Sequence, residues 1–154
     1  MSPKRIIGVI LLVGIAAVAY YGISPLFRKV TVNEQPPAVQ TSALQESMPN
    51  EAETTTSVIG TTLHPASGSA RVIEGDSGKK YLRYENFKTI NGPDLYVYLS
   101  KDLDAKEFVN LGRIRGTEGN INYEIPADVN PAEYPYALTW CKQFSVLFNY
   151  VKLY

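Results

Sequence analysis

No aromatic residue occurs between Phe27 and Tyr81, whereas the stretch from Tyr81 to Tyr154 holds Trp140, Phe87, Phe108, Phe144, Phe148 and most of the tyrosines. Large side chains supply most of the apolar surface that a core can bury, so this unevenness confines the folding unit to the C-terminal part of the chain. One globular domain fits, covering about 60–154. A single core of that size folds independently, with a modest margin of roughly 5–10 kcal/mol.

Upstream of the domain the chain reads as two further segments. Residues 1–29 contain an uncharged apolar run from Ile6 to Ile23, behind Lys4-Arg5 and ahead of Arg28-Lys29. Such a run is a membrane-span candidate at the short end of the roughly 17–25 residues usually needed, with the flanking cations as interfacial anchors. A cleaved secretory signal is the alternative, with Ala17-Val18-Ala19 as its small-x-small cleavage site. Both readings export the domain: one leaves it tethered to the cell membrane by a single pass, facing out of the cytoplasm, and the other secretes it. Residues 30–59 are rich in Glu, Gln, Pro, Ser and Thr, with Pro36-Pro37 and a Thr54-Thr55-Thr56 run, and read as a disordered, flexible stalk.

Charge narrows the partners. Lys plus Arg and Asp plus Glu are balanced at 15 each, which gives no nucleic-acid groove and no funnel for an acidic substrate. The single cysteine, Cys141, permits no internal disulfide.

Within the domain, short strands alternate with turn signals. Leu95, Val97 and Leu99 alternate with Tyr96 and Tyr98, the period of a half-buried strand. Asn91-Gly92-Pro93-Asp94 ahead of it is a turn, in which proline presets φ, glycine takes a conformation a Cβ would strain and Asp94 orders the turn through its own side chain. Further strands are expected at 69–74, 80–84, 109–113, 121–125, 136–141, 144–148 and 150–154, and one helical turn at 103–108. Eight short strands at this spacing imply an all-β fold, a single antiparallel sandwich or barrel. If 136–148 ran as one strand, Trp140 and Phe144 would share the apolar face. Cys141 would then lie on the less apolar, more accessible side.

His64-Pro65-Ala66-Ser67-Gly68, Tyr81-Leu82-Arg83-Tyr84-Glu85-Asn86-Phe87, Asn91 to Leu99, Leu111-Gly112, Gly119 to Pro126 and Trp140 to Phe148 follow one another in an order that resembles the DM-thirteen domain, an extracellular module found with DOMON and cytochrome b561-type domains. The resemblance covers about 61–153. It implies electron transfer, with Cys141 in the position of the proposed redox residue.

The residue inventory limits what such a site can hold. Blue copper needs two histidines and bis-histidine haem needs two, but His64 stands alone. A c-type haem and a dithiol cycle each need a second cysteine. Any redox step therefore uses one thiol, as a sulfenic acid, a mixed disulfide or a ligand to a cofactor carried elsewhere, so this chain binds no cofactor or metal alone and a haem would sit on a partner. Trp140, Phe144 and His64 are the residues expected to frame Cys141. Asp102-x-Asp104 with Glu107 lacks the spacing of a calcium loop. No catalytic constellation is complete, and enzyme activity is not expected. Two functions remain: a tethered extracytoplasmic redox accessory module acting through Cys141 on a partner protein, or a non-catalytic β-module binding a protein or glycan, with a structural cysteine.

Overall fold

The structure is a computed structural model that describes residues 2–23, 29–37, 56–75 and 78–154. Among the described residues the one α-helix, α1, spans Pro3–Ile23, and apolar side chains on it such as Leu12 and Val18 are exposed. Among the described residues no helix is long and apolar enough to cross a membrane, the described side chains of α1 being those of Pro3 and residues 5–20.

Among the described residues ten strands make two sheets. The first has the order β1 (Thr31–Asn33), β8 (Glu118–Ile125), β5 (Lys80–Thr89), β4 (Ala66–Glu74) and β2 (Thr56–Ser57). The second runs β3 (Ile59–Gly60), β10 (Val146–Lys152), β9 (Tyr136–Cys141), β6 (Leu95–Ser100) and β7 (Phe108–Arg113). Neither closes into a barrel. Leu82, Tyr84, Ile121 and Tyr123 of the first sheet meet Val97, Leu99, Ala137 and Val151 of the second in one buried core, so the domain is a β-sandwich.

Every pairing is antiparallel except β1 with β8, which is parallel. This strand corrects the expected stalk, because Val30 to Gln35 are bound to the sheet. The Thr117 N–H donates to the Val30 carbonyl at 2.8 Å, and the Glu34 N–H to the Asn120 carbonyl at 2.9 Å. Gly119 makes the approach possible: it sits at φ +114°, and a Cβ there would collide with the Val32 carbonyl. The remaining stalk, 38–55, joins one edge of this sheet to the other and lies outside the described residues.

Two elements differ from expectation. The two strands expected at 144–148 and 150–154 are replaced by the single strand β10, Val146–Lys152, whose pairing with β9 slips between Leu147 and Asn149. The expected helical turn at 103–108 is a loop in which the Asp102 carboxylate accepts from the N–H groups of Asp104, at 2.8 Å, and Lys106, at 3.2 Å. Local bonding by aspartate thus displaces the helix.

The connections gather at two ends. Loops 61–65, 90–94, 114–117 and 142–145, together with the start of β1, form the tether end, where the chain arrives from α1. Turns 101–107 and 126–135 form the far end.

Candidate functional site

Cys141 is the last residue of β9, at the tether end. Its register partners are Leu95 on β6 and Val146 on β10. The thiol is fully buried, at 0% exposure, which overturns the expected accessibility. The chain reverses through a four-residue turn at 142–145, with Ser145 at φ +52°, so 136–148 is a hairpin and Phe144 does not share a face with Trp140. The small residues of β9, Ala137, Thr139 and Cys141, form the face turned to the core, where the large side chains of the opposite sheet need room. The aromatic face, with Trp140 beside Tyr96 across the ladder, turns outward. The less apolar side is therefore the inside.

Cys141 packs with Leu95 and Phe148 in a cluster separate from the main core, with Ile114 against it. Phe148 links the thiol to His64: the imidazole stacks on its ring at 3.8 Å between centroids and 19° between planes. The His64 Nδ1 is 2.8 Å from the Thr61 hydroxyl. Desolvation by this partial burial lowers the His64 pKa from its usual value, favouring neutral imidazole. His64 and Cys141 thus touch the same phenylalanine, and no hydrogen bond joins them among the described contacts.

The expected turn residues act differently from the sequence reading. Asn91, not Asp94, orders the turn, its side-chain oxygen accepting from the Gly92 N–H at 2.9 Å. Asp94 reaches across to the Arg113 guanidinium, which also lies over the Tyr96 ring. Gly92 is required by packing: an added Cβ would come within 2.9 Å of the Phe148 ring and 3.0 Å of Leu95. Pro93 is exposed beside it. Tyr96 and Tyr98 face outward, Tyr98 stacked on Phe108 at 4.2 Å, so they do not reach the thiol. Phe144 is 62% exposed at the hairpin tip and does not frame Cys141. Phe148, Leu95 and Ile114 do, although only the recurrence of Phe148 in the final motif hinted at it. Among the described residues no group of three His, Cys, Asp or Glu side chains is placed to hold a metal.

This arrangement gives one shielded thiol beneath a phenylalanine, on whose ring His64 stacks. It can undergo thiol chemistry only when the hairpin or the Phe148 ring moves. A family model described as Electron transfer DM13 matches residues 59–153. No curated protein and no solved structure matches the chain.

Proposed function

We propose, because this chain belongs to the DM13 electron-transfer family, that its domain is a redox accessory module held outside the cytoplasm by α1, with Cys141 as the group that accepts an oxidising equivalent. The carrying observation is the place of the thiol. Cys141 lies in a small satellite cluster at the end of a strand, beside a hairpin turn, and not in the main core. Clusters of this kind open locally at a lower free energy than global unfolding requires. In the opened form the thiolate attacks a partner's disulfide, forming a mixed disulfide and releasing the partner's second sulfur as a thiolate. With a peroxide as oxidant, it becomes a sulfenic acid as the O–O bond breaks and the alkoxide or hydroxide leaves. The chain holds neither the two histidines of a bis-histidine haem nor a Cys-x-x-Cys-His motif, so in this reading a haem, where one takes part, sits on the partner. The uncharged apolar run from Ile6 to Ile23, flanked by Lys4-Arg5 and Arg28-Lys29, is what supports the single-pass anchor.

The complete burial of Cys141 favours a second reading, a non-catalytic β-module that binds a protein or glycan and uses the thiol for packing. Maleimide labelling followed by mass spectrometry separates them. A redox thiol in local exchange labels slowly in native protein at a rate independent of global stability, and mild peroxide adds one oxygen to Cys141. Labelling only at the rate of global unfolding, together with a cost of about 1–3 kcal/mol for Cys141→Ser, would leave the structural reading standing.

A further inference from the structure

We infer that the tether end of the sandwich is a membrane-contact surface, whose loops rest among the headgroups of the bilayer holding α1 and whose Lys29 and Lys88 take anionic phospholipid phosphate. This rests on the reading of α1 as an anchor.

Four observations converge on that end. The first is the distribution of exposed apolar side chains. Val30, Leu63, Ile90, Phe144 and Val146 all lie there, with Leu63 79% exposed at the tip of its turn. Elsewhere in the domain only Ile59, Phe108 and Tyr154 are comparably exposed among the described residues. Side chains of this kind on several loops at one end form an insertion surface, whereas scattered single ones carry no message.

The second is chain length. From Ile23 at the end of α1 to Lys29 the backbone reaches at most about 22 Å, at 3.3–3.6 Å per residue. Because Val30 is hydrogen-bonded to Thr117 and β1 to β8, the tether end stays within that reach of the helix end.

The third is charge. Lys29 and Lys88 share a single carboxylate, Glu118, at 3.3 and 3.6 Å, so one ammonium is in excess. Lys142 lies over the Tyr96 ring beside the Phe144 turn, while Arg113 and Arg115 are paired with Asp94 and Glu34. Cations beside exposed apolar tips match an interface of anionic headgroups over acyl chains.

The fourth is shape. A cavity of about 560 Å³ is lined by Lys29 and Lys88 with Glu118, and by the apolar walls of Pro65, Ala66 and Ile90. Ammonium groups beside an apolar wall suit the phosphate and glycerol region of a phospholipid.

The test uses the full chain in nanodiscs with and without phosphatidylglycerol, containing a lipid with a dansyl group on its headgroup. Trp140, the only tryptophan, is at the end of β9 and reports the tether end by energy transfer to dansyl. Transfer should be strong in anionic discs, fall measurably in the exposed double variant Leu63→Asp/Phe144→Asp, and fall to the zwitterionic level in Lys29→Gln/Lys88→Gln. Unchanged unfolding midpoints would show that the variants are folded. Transfer that ignores both double variants and lipid charge would overturn the proposal, and would leave the apolar end to a protein partner or a second copy. Alkaline carbonate extraction of the same chain from vesicles reads the anchor separately. Release by carbonate with variant-sensitive transfer removes the anchor and keeps the surface; retention with insensitive transfer does the reverse.

Discussion

At the far end of the sandwich, loop 101–107 carries Lys101, Asp104, Lys106 and Glu107 in exposed ion pairs, and Asp102 holds the turn by accepting from neighbouring backbone. At the tether end the loops carry Leu63, Ile90 and Phe144 in the open, and distant contacts hold them: His64 on Phe148, Gly92 against Phe148, and Arg113 with Asp94. Local hydrogen bonds make the far end self-sufficient. Long-range packing makes the tether end depend on a few large side chains, and the only thiol lies beneath one of them. The chain therefore concentrates both its single thiol and its sensitivity to large-side-chain packing at the same place.

The most severe test of that contrast is Phe148→Ala, which empties the space between Cys141 and His64. It should cost about 3–5 kcal/mol and make the thiol label in native protein. Denaturant unfolding and maleimide kinetics read both, and a slow-labelling, fully stable variant would show that Phe148 is no cover. Gly92→Val follows, at about 1–3 kcal/mol, because the new side chain overlaps the Phe148 ring. An unchanged midpoint would mean that the turn yields and that the close packing is unimportant.

The contrast was partly legible beforehand. β9 matches its expected bounds, and the alternation in Leu95 to Leu99 located β6 within a residue, because period-two patterning is a local property. Which face of β9 points inward was not local. It depends on Tyr84, Ile121 and the other large residues of the facing sheet, so the richer aromatic face was mistaken for the core side. The shielding of Cys141 was hidden for a related reason, since Leu95, Ile114 and Phe148 arrive from three other segments. β1 left almost no trace: a three-residue parallel edge strand is specified by its partner's glycine and by Glu34, not by any alternation of its own.

Glu34 gives the next prediction. Its carboxylate accepts from Arg115 at 2.9 Å and from the Asn122 N–H at 2.8 Å, and its carbonyl accepts from buried Arg83 at 3.2 Å. Glu34→Ala removes only the carboxylate contacts and should cost about 1–2 kcal/mol, with faster hydrogen exchange confined to β1 and β8. Exchange unchanged in those strands would show that the backbone ladder alone holds the tether segment.

The smallest effect is a pH dependence. The folded His64 pKa is depressed below 6.5 by burial, so the unfolded chain binds more protons there; stability present above that value is lost as the pH falls through the folded pKa. A modest fall in midpoint between about pH 7.5 and 5.5 should vanish in His64→Gln. Glu85, whose pKa is held below 4.5 chiefly by the Arg83 hydrogen bond, loses its contribution only in more acidic solution, so the two windows separate. Identical profiles for wild type and variant across the upper window would remove His64 from the account.

The parallel pairing of β1 with β8 also sets an order of events during synthesis. Val30 and Thr117, which join the two strands, are 87 residues apart. At about 5–20 residues per second, β1 leaves the ribosome several seconds before its partner exists. The edge strand nearest the helix is therefore made first and docks late, and α1 is synthesised well before the sandwich can close.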